Sequence, residues 1–491
     1  MARKRSQESV WLLAFPKKAL ILWAMNDMAH PTSGTLYRQI YARVRGSIVD
    51  GQLQPGDRLP SARAYAQELG VARGTVDLAY AILAGEGYVE TNGRAGTRVA
   101  PGVARMIAAA DAPAIPATAN PTYQHGLMPL APGVPAFDLF PRKVWTQLVR
   151  RYARNLGRHE LTYPDPQGSQ KLREAVAAYL GVSRGVTCTA DEIVITGGFQ
   201  SAVGLVTQAM LPAGGKAWYE DPGYSPIRRA LREIGACPIE VPVDEEGMNV
   251  AAGIARAPNA RCAIVAPAHQ FPMGVAMSLG RRLQLLDWAE RADAWILEDD
   301  FDGEFRYHGR PLPALKSLDR TGRVFYAGTF SKTLFPGLRL GYLVVPPSEI
   351  ARFRDLMRFL DGGRSALEQA VTAEFLSEGH FARHIKKMRS AYRSRRAALA
   401  AALAGRFGRQ ARIEQGAGGL HLLLRVDGGL GTLADMVWNS GQALGAIPMR
   451  VLTDRTDLHD GMLVGFANVA ERQAPALAEQ LHGIVAAGRA G

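Results

Sequence analysis

One stretch decides the fold of the larger part of the chain: GTFSKTLFPGLRLG, at residues 328–341. It places Lys332 after the strand-like apolar run 324–327 and among small hydroxyl side chains, with Arg339 seven positions further on. A lysine amine can form a Schiff base with the aldehyde of pyridoxal phosphate, while hydroxyl groups and a fixed cation hold the phosphate. The pattern therefore indicates a pyridoxal phosphate site, although a surface lysine after a buried strand fits this segment equally well.

Short apolar strands alternate with amphipathic helices on both sides of this stretch, from residue 126 onward. The predicted helices include 200–210, 225–234 and 279–291. This alternation predicts a mostly parallel α/β sheet whose ligands bind at the carboxyl ends of the strands. The predicted strands are 193–196, 217–220, 239–241, 262–266, 294–298, 324–327 and 341–345.

Two further segments follow predicted strands and are placed to meet a cofactor. TGGFQ, at 196–200, runs from strand into helix, so free backbone N–H groups and the helix dipole can receive a phosphate. Glycine also serves tight turns, which is the competing explanation. In DPGY, at 221–224, Tyr224 offers an aromatic face on which a pyridine ring can stack, or else it is a packing residue.

Four carboxylates crowd the end of another predicted strand, at Glu298, Asp299, Asp300 and Asp302, where unpaired charges are costly to bury. One of them facing a pyridine nitrogen keeps that nitrogen protonated and makes the ring an electron sink. Because side chains alternate along a strand, Asp299 and Asp300 cannot both face the ring. A calcium or magnesium site is the alternative, but no EF-hand-like spacing follows.

The chain of 491 residues is too long for one core, and 47% hydrophobic and 21% charged residues are typical of globular proteins. The net charge of +13 points to polyanionic partners, and residues 1–105 hold 14 basic against 8 acidic side chains. The three cysteines lack disulfide or zinc spacing and are predicted to be reduced, mostly buried thiols. The apolar runs 10–15 and 19–25 are too short to span a bilayer, so we expect a cytoplasmic protein without a membrane segment.

Helical periodicity begins at residue 36, with apolar side chains at every fourth position through Ile48. Ser61 is a predicted N-cap for a second helix that ends at 69, and a glycine turn then leads into a third helix over 73–84. Two short helices joined by such a turn have the geometry that lays the second helix in the major groove of DNA.

A hairpin is predicted next, because Asn92-Gly93 separates two strand-like runs at 88–91 and 94–99. Its tip carries Arg94, Gly96 and Arg98, which suit contacts with phosphates or a narrow minor groove. A small helical domain with a solvated basic face is the competing interpretation. Three helices, a wing and a basic tip in this order favour DNA binding.

Residues 34–100 resemble the winged helix-turn-helix of the GntR regulators through LPSxR at 59–63, GVARxTV at 70–76 and GRxGT at 93–97. The resemblance implies binding to a double-stranded DNA operator. Asp77 stands where many members carry arginine, so one phosphate contact is expected to be absent and base preference to differ. The implied DNA contacts are Ser61, Arg63, Arg73, Thr75, Arg94 and Gly96.

The segment after this domain is rich in Ala and Pro and lacks apolar periodicity, as in a semi-extended tether. The predicted organisation is a flexible extension at 1–33, the winged helix-turn-helix at 34–100, a linker at 101–125, and a cofactor-binding, effector-sensing and dimerisation domain at 126–491.

From residue 126 to its end the chain resembles the fold-type I aminotransferases, through the segments above and YPDPxG at 163–168, GGLH at 418–421 and GFA at 465–467. The resemblance implies that Lys332 forms the Schiff base, that Asp299 pairs with the pyridine nitrogen and that Tyr224 stacks on the ring. It also implies a homodimer, in which Tyr163 reaches the phosphate of the neighbouring subunit. The implied cofactor-binding residues are Tyr163, Gly198, Phe199, Gln200, Tyr224, Asp299, Thr329, Ser331, Lys332 and Arg339.

Two positions depart from the aminotransferase pattern. The chain has HQFPMG at 269–274 where aminotransferases usually present Asn-Pro-x-Gly, so the asparagine that bonds the phenolic oxygen of the cofactor is missing. Phe301 stands where a tyrosine often makes a second bond to that oxygen. At most weak transaminase activity is therefore expected. Arg450 is the predicted partner of an effector carboxylate and Arg455 the second choice, while either can instead be a solvated charge.

A winged helix-turn-helix joined to an aminotransferase-like domain resembles the MocR, or GabR-type, branch of the GntR regulators. The resemblance implies transcriptional regulation dependent on pyridoxal 5'-phosphate, in which an amino compound or B6 vitamer reacts at Lys332 and the dimer changes its arrangement. One alternative is a working class I/II aminotransferase with an accessory DNA-binding domain. Another is a DNA-binding protein whose large domain has lost the cofactor and serves only dimerisation.

Overall fold

The computed structural model describes residues 35–93, 96–103, 128–309, 313–360, 362–427 and 444–490. The chain divides into two compact units, Met1–Ala119 and Asn120–Gly491. Within the described ranges, no helix combines the length and the apolar character needed to cross a membrane.

Three helices make up most of the described part of the first unit: α1 (Leu36–Val49), α2 (Ala62–Leu69) and α3 (Arg73–Gly85). The Ser61 hydroxyl oxygen accepts a hydrogen bond from the Ala64 amide at 3.2 Å, which caps α2 as predicted. The third helix ends one residue later than predicted. The side chains that form the core of this unit include Val44, Ile48, Tyr65, Val76, Ala79 and Leu83.

A short antiparallel hairpin follows, formed by β1 (Val89–Thr91) and β2 (Thr97–Val99). Val89 and Val99 lie opposite each other and join the core. Both strands are shorter than the predicted runs at 88–91 and 94–99, and Arg94 lies outside the described residues.

The second unit is built on an eight-stranded sheet with the strand order β3-β10-β9-β8-β7-β4-β5-β6. Six strands run in one direction, while β10 and β6 run antiparallel to their neighbours. The predicted, mostly parallel sheet is therefore confirmed. Its strands are β3 (Ile193–Thr196), β4 (Lys216–Asp221), β5 (Cys237–Asp244), β6 (Gly247–Met248), β7 (Cys262–Val265), β8 (Trp295–Asp300), β9 (Val324–Thr329) and β10 (Gly341–Val344).

Helices cover both faces of this sheet, because successive side chains of its strands enter different cores. Phe325 packs with the helices that follow β3 and β4, whereas Tyr326 packs with the core beneath the long C-terminal helices. The helices are α4 (Arg142–Arg154), α5 (Gln170–Arg184), α6 (Phe199–Met210), α7 (Pro226–Glu233), α8 (Val250–Arg256), α9 (Leu279–Arg291), α10 (Ile350–Leu360), α11 (Ala366–Ser377), α12 (His380–Phe407) and α13 (Ala474–Ala490).

A second, four-stranded antiparallel sheet with the order β11-β12-β14-β13 lies near the C-terminus. Its strands are β11 (Ala411–Glu414), β12 (His421–Val426), β13 (Ile447–Pro448) and β14 (Gly461–Gly465). Leu422, Leu424 and Val464 of this sheet share a core with α12 and α13. The packing brings His421 to the strand ends of the large sheet.

Several sequence-based boundaries need correction. Strand β8 was predicted to end at residue 298, but it continues to Asp300, so Asp299 is part of the strand and does not follow it. Strand β9 likewise extends to Thr329. Of the thiols predicted to be mostly buried, only Cys262 is buried, while Cys188 is half-buried and Cys237 is exposed.

Candidate functional site

A cavity of about 290 Å³ lies at the carboxyl-terminal edge of the large sheet. Residues from the ends of β3, β4, β7, β8 and β9 reach it, as the topology of an α/β sheet predicts. The strand β10 runs in the opposite direction, so Arg339, which precedes it, lies at the same edge. The sequence-predicted cofactor residues that line the cavity are Gly198, Phe199, Gln200, Tyr224, Asp299, Thr329, Ser331, Lys332 and Arg339.

Lys332 follows the end of β9 and is half-buried in the cavity wall. Burial lowers the pKa of its amine, and the carboxylates of Asp302 and then Asp299 oppose that shift. The backbone at Gly133 closes the cavity over this amine, because a Cβ atom at that position would lie 3.1 Å from Lys332 Nζ. Burial thus favours the neutral, nucleophilic form of the amine, whereas the two carboxylates favour its charged form.

Backbone and hydroxyl donors form a cradle on one side of the cavity. Gly198 has a φ of 109° and directly precedes α6, whose first amides are free of partners within the helix. The Gly341 backbone packs so closely that a Cβ atom there would lie 2.8 Å from Gly198 Cα. Thr329 and Ser331 add hydroxyls, and the Ser331 amide donates to Thr329 Oγ1 at 3.1 Å. With the Arg339 guanidinium, these groups fit a phosphate dianion.

Asp299 faces the cavity among other acids. Burial raises its pKa well above the ordinary value, and the carboxylates of Asp300, Asp302 and Glu220 add to this effect. A cation or an N–H donor in the cavity would relieve the crowding, and a protonated pyridine nitrogen is such a group. The described residues contain no group of three or more His, Cys, Asp or Glu arranged to hold a metal ion.

Aromatic side chains line the wall beside Asp299. The Tyr224 ring lies 6.3 Å from Phe271 and its hydroxyl accepts a hydrogen bond from Gln200 Nε2 at 3.2 Å. Phe271 and Phe301 lie edge to face at 6.3 Å. The Gln270 amide is buried and donates to the backbone carbonyl of Pro222 at 2.8 Å. The two positions that depart from the aminotransferase pattern thus present apolar surface to the cavity.

On the opposite face of β8, Asp300 is held in a buried network that the sequence did not reveal. Its carboxylate accepts hydrogen bonds from the Tyr326 hydroxyl at 2.5 Å and from the Arg184 guanidinium. Arg184 also pairs with Glu304 at 2.8 Å, and Glu304 accepts from the Tyr179 hydroxyl at 2.6 Å. Asp299 and Asp300 face opposite sides of β8, as the alternation of side chains along a strand predicts.

The sequence also did not indicate a buried pair formed by His269 and Asp302. His269 Nδ1 lies 3.1 Å and 3.2 Å from the two carboxylate oxygens of Asp302, and both side chains are buried. Asp302 lines the cavity together with Lys332. In the sequence, His269 belonged only to a segment that departs from the aminotransferase pattern, and nothing in it indicated a partner 33 residues away.

The remaining predicted ligands lie elsewhere. Tyr163 is 97% exposed and is not part of the cavity wall. Arg450 lies in the short turn Met449–Val451 and also does not line the cavity. Arg455 pairs with Asp457 at 2.9 Å. Among the described residues that line the cavity, the cationic side chains of lysine or arginine are those of Lys332 and Arg339.

The predicted DNA contacts that the structure describes lie at the start of α2 and α3 and in the wing. Ser61, Arg63 and Arg73 are exposed, and Thr75 is half-buried in the first turn of α3. Arg73 pairs with Asp77 one turn further along the same helix, at 3.2 Å. Gly96 has a φ of 82°, which favours glycine at the tip of the hairpin.

Comparisons with known proteins agree with both halves of this description. Residues 36–99 match the family model for bacterial regulatory proteins of the gntR family, and residues 125–428 match the model for aminotransferase class I and II. The probable rhizopine catabolism regulatory protein MocR of Rhizobium meliloti is 33% identical over 449 residues, which cover 88% of this chain and 90% of that protein. The pyridoxine biosynthesis transcriptional regulator PdxR of Corynebacterium glutamicum is 34% identical over 397 residues, covering 81% and 84%.

Solved structures similar to the larger unit include aminotransferases. Kynurenine aminotransferase from Pyrococcus horikoshii, in complex with PMP, has a TM-score of 0.66 at 26% identity and covers 77% of this chain and 96% of its own. The α-aminoadipate aminotransferase LysN from Thermus thermophilus, complexed with N-(5'-phosphopyridoxyl)-L-leucine, has a TM-score of 0.66 at 26% identity and covers 74% and 95%.

Proposed function

The chain belongs to the MocR-type transcriptional regulators of the GntR family, and from this premise we propose that it binds pyridoxal 5'-phosphate at Lys332 and senses an amino compound or a B6 vitamer there. The observation that carries the proposal is the convergence on one cavity of nine residues predicted from distant parts of the sequence. Glycine, hydroxyl, carboxylate, aromatic and lysine groups meet there, which are the groups that a phosphorylated pyridine aldehyde requires.

Each group in the cavity has a defined task in this proposal. The amides at the start of α6, the hydroxyls of Thr329 and Ser331 and the Arg339 guanidinium hold the phosphate. Tyr224 packs against the ring, and Asp299 holds a proton on the pyridine nitrogen. The cofactor supplies an aldehyde carbon with which primary amines condense. Lys332 Nζ is the amine of this chain that would join to that carbon, and an amino effector would compete with it.

Regulation requires that the effector distinguish two states of the protein, and it does not require turnover. Phe271 and Phe301 line the cavity where aminotransferases usually present polar partners for the phenolic oxygen. Their apolar rings leave that oxygen without side-chain donors from these two positions. We therefore propose a sensor with at most weak transaminase activity.

The output of the sensor is binding to an operator in double-stranded DNA. The surface positions of Ser61, Arg63 and Arg73 at the starts of α2 and α3 support contacts with the DNA backbone and major groove. The fully exposed ring of Tyr163 is consistent with a role in a second subunit. We propose a homodimer in the cytoplasm whose two DNA-binding units respond to the occupancy of the cavities.

The decisive experiment combines absorbance with DNA binding. Purified protein reconstituted with pyridoxal 5'-phosphate is expected to turn yellow, and Lys332→Ala is expected to lose that colour together with any change in DNA binding on addition of amines or B6 vitamers. Lys386→Ala is the matched control, because Lys386 is an exposed lysine on α12. A colourless wild-type protein, or a Lys332→Ala variant that still responds, would overturn the proposal.

The second candidate is a working aminotransferase, and the presence of Lys332, Asp299 and Arg339 in one cavity favours it. Many cycles of amino transfer between a donor and a keto acid, with no binding to DNA upstream of its own or neighbouring genes, would establish that function. A single conversion of cofactor per subunit would instead agree with the sensor.

A further inference from the structure

Asp302, in its buried pair with His269, lines the same cavity as Lys332, but the pair has no task in the proposed function. His269 Nδ1 lies 3.1 Å from Asp302 Oδ1 and 3.2 Å from Oδ2. The side chains are 8% and 1% exposed. Burying a carboxylate this deeply is costly unless it is paired, so the pair calls for an explanation beyond packing.

Three glycines hold the His269 ring in place. A Cβ atom at Gly419 would lie 2.1 Å from His269 Cε1, and Cβ atoms at Gly274 and Gly416 would lie 3.4 Å and 3.5 Å from Nε2. A larger residue at Gly419 would therefore displace the imidazole, whereas a Cβ atom at Gly274 or Gly416 would only make ordinary van der Waals contact with it. The ring has little freedom to turn, and its Nδ1 remains directed at Asp302.

Asp302 separates two cavities. On one side it lines the cofactor cavity together with Lys332, and on the other it lines a space of about 20 Å³ beside Arg184 and Arg306. The other titratable or charged side chains that line the cofactor cavity are Glu220, Tyr224, Asp299, Arg339 and His421, and Tyr307 also interacts with the charge of Asp302. His421 is neutral over most of the pH range, since burial and the neighbouring His269 lower its pKa to about 4.

Two carboxylates act on the charge of the lysine. Burial lowers the pKa of the Lys332 amine, and Asp302 opposes this more strongly than Asp299 does. Burial and the carboxylates of Asp300, Asp302 and Glu220 raise the pKa of Asp299 itself well above its ordinary value. The charged form of Asp299 is thus disfavoured in a cavity without cofactor, and a pyridinium opposite it would favour that form.

We propose that Asp302, oriented by His269, is the counter-ion that keeps a proton on Lys332 Nζ whenever that amine is not joined to the cofactor. The inference rests on the proposed function for its biological meaning: an amino effector must displace Lys332, and a counter-ion stabilises the displaced ammonium. Asp299 then pairs with the ring nitrogen of the cofactor, and Asp302 pairs with the ammonium group of Lys332.

The test measures the pKa of Lys332 in the full-length, cofactor-free chain. Formaldehyde with cyanoborohydride methylates only the neutral amine, and mass spectrometry of the peptide containing Lys332 gives the extent of reaction at each pH. Asp302→Asn keeps the shape and a hydrogen-bond acceptor for His269 but removes the charge. We expect the midpoint of the pH profile to fall by about one unit or more, with faster methylation at neutral pH.

Two further variants make the result specific. Asp302→Ala also removes the charge and is expected to move the midpoint in the same direction, so that either variant suffices if the other does not fold. Asp299→Asn is expected to move it less, because Asp299 carries less charge in the empty cavity. An unmoved midpoint in a folded Asp302 variant, or a larger shift in Asp299→Asn, would overturn the inference.

The result does not depend on cofactor binding. If the protein takes up no pyridoxal 5'-phosphate but the midpoint shifts as expected, the proposed function fails while the counter-ion assignment holds. If the protein turns yellow but the midpoint stays fixed, the counter-ion assignment fails while the proposed function holds. A purely structural role for the pair would alter the stability of the fold and leave the methylation profile in place.

Discussion

The Tyr326 hydroxyl donates a hydrogen bond of 2.5 Å to the Asp300 carboxylate across the neighbouring strands β8 and β9. Both side chains are buried on the face of the sheet that lies opposite the cavity. We expect Tyr326→Phe to lower the free energy of unfolding by about 1–3 kcal/mol, because a buried carboxylate loses one of its partners. Urea denaturation measures the change, and a variant as stable as the wild type would contradict it. Cofactor content should stay near the wild-type level, since Asp299 faces the other way.

Glu220 should make stability depend on pH. Burial raises the pKa of its carboxyl group from an ordinary 4.5 to about 8, against hydrogen bonds from the Ala266 amide and Gln270. Because the folded state holds a proton that the unfolded chain releases, the free energy of unfolding falls as pH rises from the ordinary value through about 8.

In Glu220→Gln this contribution is absent, since an amide has no proton to lose. The variant should lose less stability than the wild type between about pH 5 and pH 8.5, by a margin on the order of 4 kcal/mol. Glu298, whose pKa burial raises to about 7, remains in both proteins and cancels in the comparison. Parallel pH dependence in denaturation of the two proteins would show that Glu220 is charged in the fold.

Two substitutions at Ser61 separate a structural role from a DNA contact. The Ser61 side chain caps α2 by accepting from the Ala64 amide at 3.2 Å. Ser61→Ala should lower the local stability of α2 by about 1 kcal/mol, measured as faster hydrogen exchange in residues 62–69. Ser61→Asp keeps the cap but places a negative charge beside DNA, so protection should persist while operator affinity falls about tenfold or more. Unchanged affinity in Ser61→Asp would remove Ser61 from the DNA contacts.

The ion pair between Arg73 and Asp77 should weaken DNA binding. Their side chains are 70% and 51% exposed and 3.2 Å apart, so the pair adds little stability. Asp77→Ala frees Arg73 for a phosphate, and we expect affinity to rise about threefold or more at low salt, with a salt dependence steeper by about one unit. Asp50→Ala makes the same change in net charge at the exposed end of α1 and should have the smaller effect. Equal gains from both would mean that only net charge matters.

The sequence was most informative where local pattern and chemistry coincide. Thr329, Ser331 and Lys332 lie together at the end of one strand, so a single motif predicted their grouping, and strand topology then brought Asp299 and Tyr224 to the same edge. The ends of β8 and β9 were harder to predict from the sequence, because acidic and hydroxyl residues are typical of loops but here continue a buried strand. Glu298, for example, is buried because it accepts from the amides of Leu315 and Lys316.

Pairs between distant segments could not be predicted. Arg184 ends α5 and contacts Asp300 across 116 positions of the sequence, and His269 meets Asp302 across 33. No periodicity links such positions, since only the packing of helices, strands and loops in the folded chain makes them neighbours. For Arg450 the difficulty was different. No local feature of the sequence distinguishes an arginine that binds an effector carboxylate from one that is only a solvated charge.

The opposite orientations of Asp299 and Asp300 on β8 carry a consequence for how this protein can change. Inserting or deleting one amino acid within the strand would exchange the two side chains, placing Asp300 in the cavity and Asp299, the proposed cofactor partner, against Arg184. Both the packing around Arg184 and the proposed sensor would then fail at once. We therefore expect this strand to tolerate point substitutions during evolution but not changes in its length.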